Sequence, residues 1–167
     1  MLAVSAVLSA LGVVILLLGT VISVLDLTMV AITSIFIFFA VIEMGSPYYF
    51  LIYATTSVLS VLLLPDKFSA ILYLIFGGIY PILKQKIEKL PTLISWVLKA
   101  VYFNAVLVAT VLGAKYLFNV EEEELTVALF VLGNLAFFVY DLAMTRLITY
   151  YLLGLRKKFR IEKYFKK

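Results

Sequence analysis

Histidine and cysteine are missing from all 167 residues, and only 14% of the chain is Asp, Glu, Lys or Arg. The first absence removes imidazole acid–base chemistry, thiol catalysis, disulfides and zinc sites built on His or Cys. The shortage of charge excludes more. A soluble domain is about 45–50% apolar and about 25% charged. Here 65% of residues are hydrophobic, more than a chain of this size can bury while still covering itself with polar surface. Disorder needs the opposite composition, low hydrophobicity with high net charge. The class that fits is a small multi-span membrane protein with the lipid bilayer as its main partner, and no cofactor is implied.

A helix that crosses the hydrocarbon core needs roughly 20 apolar residues at about 1.5 Å each. The apolar runs predict an all-α integral membrane protein of six transmembrane helices, near 1–25, 27–43, 47–64, 68–85, 92–118 and 124–155. A β-barrel would need alternating apolar and polar residues, and these runs do not alternate. The first run has no positive n-region and is too long for an h-region, so it reads as a retained helix. Asp66 and Lys67 read as loop residues beside Pro65. One domain is expected over 1–155, followed by a basic tail, 156–167.

Six spans put both termini on one side. With the stretch Lys84 to Lys99, that side collects twelve of the fourteen basic residues and leaves only Lys67 and Lys115 opposite. By the excess of Lys and Arg in cytoplasmic loops, it is the cytoplasmic side of the cell membrane. The run Glu121–Glu124 then faces outward and opens the sixth helix, where carboxylates complement the helix dipole. A net charge of +4 invites a nucleic-acid reading. The charge is concentrated in a juxtamembrane tail with interleaved Phe159, Tyr164 and Phe165, so the partner it implies is anionic lipid, not nucleic acid.

Ionisable residues inside a span cost about 2.5–3.5 kcal/mol each and need a reason. Asn134, Asp141 and Thr145 are spaced to share one face of the sixth helix, with Phe138 on the same stripe. Tyr73, Gly77, Tyr80 and Lys84 make a matching stripe on the fourth, where Gly77 and Gly78 permit close approach and Pro81 predicts a kink. Depth separates these groups. Glu43, Tyr80, Lys84, Lys99, Asp141 and Arg146 form a cytoplasmic-side polar network, read either as ion pairs that fix helix register or as a coupling site for a cytoplasmic partner. Asn104 and Asn134 sit near mid-membrane, with Tyr73 farther out. They read either as an interhelical hydrogen bond or, with Tyr73, as a substrate-binding set for a small molecule. Trp96, the single tryptophan, reads as an interfacial anchor.

The first helix is rich in small residues, with Ala6 and Ala10 forming one small-xxx-small pair and Ser5 and Ser9 another. Six short hydrophobic helices, cytoplasmic termini and this Ala-x-x-x-Ala helix resemble the substrate-binding S components of energy-coupling factor transporters. The segments Gly78–Lys84 and Asn134–Thr145 also resemble uncharacterised six-span membrane proteins of Gram-positive bacteria. The S-component resemblance implies an S-component-like bundle that captures a micronutrient of the vitamin type and docks through Ala6 and Ala10 on a transmembrane coupling subunit. Separate ATPases would drive it, since this chain has no Gly-rich phosphate loop. The alternative is an accessory or scaffold subunit that binds partner proteins and no small substrate. No paired carboxylates on one helix, nucleophile elbow or metal-ligand set points to an enzyme.

Overall fold

A computed structural model of the chain describes residues 1–22, 25–118 and 127–158. The Glu121–Glu124 run, most of the basic tail and Ser23 and Val24 of the first loop lie outside the described residues. Within them the chain is helical, without strands, and forms α1 (Leu2–Val21), α2 (Asp26–Met44), α3 (Tyr48–Leu63), α4 (Lys67–Ile87), α5 (Thr92–Phe118) and α6 (Val127–Tyr150, continued by a π turn Tyr151–Leu155). Five of these helices are long and apolar enough to cross a membrane, while α3 is apolar but shorter, at 16 residues. That length and composition mark a multi-pass membrane protein.

The helix ends follow local chemistry. At Gly45 the backbone takes φ 70°, a conformation glycine adopts without penalty, and α2 stops there. Asp66 caps α4 by accepting from the Phe68 N–H at 3.0 Å. Lys67 donates to the Val61 and Leu64 carbonyls at 2.8 and 2.7 Å, so its ammonium closes the negative end of α3. These two residues are therefore caps for two helices and not plain loop residues. The irregularity expected at Pro81 lies one turn earlier, as a π turn over Tyr73–Gly77. The pyrrolidine ring of a proline crowds the carbonyl four residues before it, which here is that of Gly77. The Tyr53 hydroxyl donates to the Leu74 carbonyl inside that turn at 3.1 Å.

The helices group into two compact units, Met1–Gln85 with Arg146–Lys167, and Lys86–Thr145. In the first, α1 buries Ser5, Ser9, Gly12, Val13, Leu16 and Gly19, a stripe with a three-four spacing that packs on α2 and α3. Val4 and Leu8 share one core cluster with Tyr49 and Ile52, while Val13 and Leu16 share another with Leu59 and Leu64, so α1 and α3 run parallel. The approach is close because a Cβ on Gly12 would lie 3.1 Å from Thr33 Cγ2 and 3.2 Å from Thr56 Cγ2. Gly77 and Gly78 serve α4 in the same way. A Cβ at Gly77 would be 2.6 Å from Val30 Cγ1, and one at Gly78 would overlap the Tyr53 ring.

The second unit is a helical hairpin. Phe103 stacks on Phe137 with centroids 4.5 Å apart and planes 8° from parallel. Below this pair on α5, Trp96 stacks on Phe138 at 5.3 Å; above it, Gly133 faces Leu107. Each step up α5 is a step down α6, as an antiparallel pair requires. Val106, Leu107, Phe137 and Met144 are buried, and many other apolar side chains of this unit, among them Val101, Val131 and Leu135, stay exposed, as lipid-facing residues would.

Candidate functional site

Polar side chains inside these units fall into four groups. The first is built on α5 and α6. Lys99 is 4% exposed and donates to Asp141 Oδ2 at 2.9 Å and to Glu88 Oε1 at 2.9 Å. Asp141 is 1% exposed. The Lys99 ammonium also lies 5.0 Å from the centre of the Trp96 ring, so one cation is held by two carboxylates and an aromatic face. Trp96 thus belongs to this site and is more than an interfacial anchor. Its spacing of three from Lys99 was the readable signal, while Glu88 had none, because the turn at Pro91 intervenes.

One turn farther along, Asn104 and Asn134 hold each other reciprocally. Asn104 Nδ2 donates to Asn134 Oδ1 at 2.9 Å, and Asn134 Nδ2 returns the bond at 3.0 Å. The second N–H of each goes back to its own helix, to the Ala100 and Phe130 carbonyls at 2.9 Å. All four amide N–H groups are spent within the hairpin. Phe138, expected on the polar stripe, is 46% exposed and turns its ring to Trp96.

The third group ties the end of α6 to α2 in the first unit. Glu43 lies in the π turn that closes α2, and its carboxylate side chain is 1% exposed. Arg156 Nε is 2.7 Å from Glu43 Oε1, and the Tyr151 hydroxyl donates to the same oxygen at 3.1 Å. The Tyr151 ring meets Phe39 edge-on at 6.0 Å. Two π turns, Ala40–Met44 and Tyr151–Leu155, therefore face each other across an ion pair. Tyr151 and Arg156 were not legible as partners, being 108 and 113 residues from Glu43. Tyr80 and Lys84 are buried in the same unit, at 0% and 1% exposure. Arg146 is exposed, and among the described residues it joins neither ion-pair group.

The fourth group contains Tyr73. It is 0% exposed on α4, in the first unit, whereas Asn104 and Asn134 belong to the second. Its hydroxyl lies beside Thr56 without a bond of hydrogen-bonding geometry, and the buried Ser9, Thr56, Ser57 and Ser60 hydroxyls also lack partners among the described residues. Separately, Asp26 at the start of α2 accepts from Ser69 of α4 at 2.6 Å, a buried carboxylate the sequence pattern passed over. Among the described residues no group of three His, Cys, Asp or Glu is placed to hold a metal ion. On α1, the sequence-predicted docking residues Ala6 and Ala10 are exposed, on the side away from the Ser5–Ser9–Gly12 stripe.

Compared with protein-family models, with curated proteins and with solved structures, the chain matches none.

Proposed function

We propose that this chain is a partner-binding subunit of a cell membrane, crossing it six times with both termini in the cytoplasm. The observation that carries the reading is the division of α1 into two small-residue faces. Ser5, Ser9 and Gly12 are consumed by packing inside the chain, whereas Ala3, Ala6 and Ala10 remain exposed. A second small-residue stripe in lipid is a surface that another helix can approach closely, gaining backbone contact that bulky side chains would prevent. The paired charges support a scaffold role, since Glu43–Arg156 and Lys99–Asp141 satisfy each other as structural ion pairs do.

A second reading keeps the same docking face and adds a cargo: the substrate-binding subunit of a micronutrient uptake transporter, with coupling and ATPase subunits supplied separately. The exposed Ala6 and Ala10 favour it, as the positions at which the S-component resemblance predicts docking. The closed Asn104–Asn134 pair favours the accessory reading, because no amide N–H is left to bind a ligand.

The test uses the lack of native cysteine. A photo-crosslinker on a single cysteine at Ala6 is expected to capture one defined membrane protein that a crosslinker at Leu135, on exposed α6, does not. Ala6→Leu with Ala10→Leu should abolish that association, and retained association would refute the docking face. A vitamin panel then separates the two readings. A ligand present at 100 times its Kd stabilises by about 2.7 kcal/mol, an easily measured Tm shift. A shift selects the transporter subunit, and none across the panel selects the accessory subunit.

A further inference from the structure

Serine and threonine on a membrane helix usually give their hydroxyl proton to a carbonyl one turn back. This chain follows that habit at Thr20, Thr33, Ser34, Thr110 and Thr145, all at 2.7–2.9 Å. A set of buried hydroxyls departs from it without taking another partner. Ser9 on α1, Thr56, Ser57 and Ser60 on α3, and Tyr73 on α4 are each no more than 4% exposed, and none of their hydroxyls has a hydrogen-bond partner among the described residues.

Four of these are neighbours, while Ser57 stands apart beside Tyr53. Thr56 faces α1 at Gly12, where a Cβ would be 3.2 Å from its Cγ2 and 3.5 Å from its Oγ1. Ser9 stands one turn from Gly12 on the same buried face, and Ser60 one turn from Thr56. The Tyr73 hydroxyl lies beside Thr56. Because α1 and α3 run parallel, the oxygens line one seam at mid-helix depth. Four unpaired hydroxyls along a single seam are a poor use of membrane interior, where each forfeits its hydration and gains nothing. Scattered orphans would read as packing compromises, whereas a contiguous set of donors and acceptors is a binding surface.

From this we infer that the seam between α1, α3 and α4 is a binding site for ordered water, with Ser9, Thr56, Ser60 and Tyr73 as its bridging partners. Two observations choose water over a larger or charged ligand. The helices stand almost in contact, since a Cβ on Gly12 would meet two threonine methyls at 3.1 and 3.2 Å, so the ligand is small. The four oxygens are all neutral. The carboxylate of Asp26 is bonded to Ser69 and faces Gly19, two turns along α1 from Gly12, so no counter-charge for a cation stands in the set. Water supplies both donors and acceptors and needs two to four polar partners, which this seam provides.

The experiment is X-ray radiolytic footprinting of the full chain in nanodiscs, which oxidises buried side chains that touch bound water. Tyr73 is expected to be modified well above Phe38, an aromatic on α2 that is also buried, at 4% exposure. Labelling of Tyr73 no greater than that of Phe38 would overturn the site. Tyr73→Phe and Ser60→Ala give an independent reading. If water bridges these hydroxyls, each substitution lowers Tm and the double variant shows coupling between them. If the seam is dry, each removes an unsatisfied group, Tm rises and the effects add. Ser60→Ala, the smaller change, decides by the sign of its Tm shift should Tyr73→Phe fail to fold. A Tm that rises in sodium but not in choline buffer would replace water by a cation and so also overturn the proposal.

Discussion

Lys99 shows what a single residue is asked to do in this chain. An ammonium that is 4% exposed is tolerable only because Asp141 and Glu88 both reach it at 2.9 Å and Trp96 lies beneath it. Most of its value comes from Asp141, because the Glu88 side chain is 39% exposed and its attraction is screened by solvent. Removing one partner of a buried pair leaves the other charge stranded, at a cost of about 3–5 kcal/mol. Lys99→Met should therefore destabilise strongly in a detergent unfolding assay, and Asp141→Asn added to it should restore most of the loss. A double variant no better than the single would show that the pair is not the source. The asparagines should behave more mildly. Asn104→Ala, Asn134→Ala and the double variant form a cycle whose coupling is expected near 0.6 kcal/mol and not above about 1.7, the range of hydrogen bonds between membrane helices. At this scale the sequence was informative wherever burial could be inferred from cost. Asn104, Asn134, Lys99, Asp141 and Glu43 stand out because polar groups in an apolar run must be paired. Their partners Glu88, Tyr151 and Arg156 did not stand out, because they sit where polarity needs no explanation, at helix ends and beside loops.

At the scale of an element, α4 carries the most information. Its face Tyr73–Gly77–Tyr80–Lys84 is buried throughout, as its spacing predicted. What the spacing did not contain is which neighbour each position meets. Gly77 is pressed against Val30 of α2, and Gly78 against the Tyr53 ring of α3. Gly77→Ala would place a Cβ 2.6 Å from a branched, buried side chain, so it should destabilise by about 1–3 kcal/mol, as overpacking does. Gly113→Ala on α5 is the control. A Cβ there meets nothing within 4 Å, and the gain in helix propensity, up to about 1 kcal/mol, should leave stability unchanged or raised. Equal effects of the two substitutions in the same unfolding assay would contradict the packing described for α4. The π turns are a further feature of these elements. The turn at Tyr73–Gly77 has a visible cause in Pro81, and that at Ala40–Met44 runs directly into Gly45 and Pro47, but the one at Tyr151–Leu155 has no proline or paired glycine to announce it. The turns at Ala40–Met44 and Tyr151–Leu155 meet each other through Glu43, Tyr151 and Arg156.

For the molecule as a whole, the proposed topology makes a direct prediction. Single cysteines at Pro65 and Lys89, both exposed in loops, should react oppositely with an impermeant maleimide applied to intact cells. Position 65 should label and position 89 should label only after the membrane is opened. The reverse pattern would invert the protein, and labelling of both from outside would remove a span. The division into two units also bears on how the charges serve the fold. Each ion pair described joins residues of the same unit, so it fixes helices within that unit.

Apolar runs and their interruptions alone determined that this is a multi-pass membrane protein whose described residues are helical. That follows because a helix in lipid must satisfy its own backbone, so length and hydrophobicity are sufficient information. Periodicity further determined which faces of α4 turn inward. The tertiary structure decided the rest: that Asn104 and Asn134 close on each other, that Glu43 pairs with an arginine more than a hundred residues away, that α1 packs through Ser5, Ser9 and Gly12 while Ala6 and Ala10 stay outside, and that the Tyr73 hydroxyl comes to lie beside Thr56. These are choices among partners of similar chemistry. The helix period offers several such partners at every turn, and only the packing of particular side chains between helices selects one.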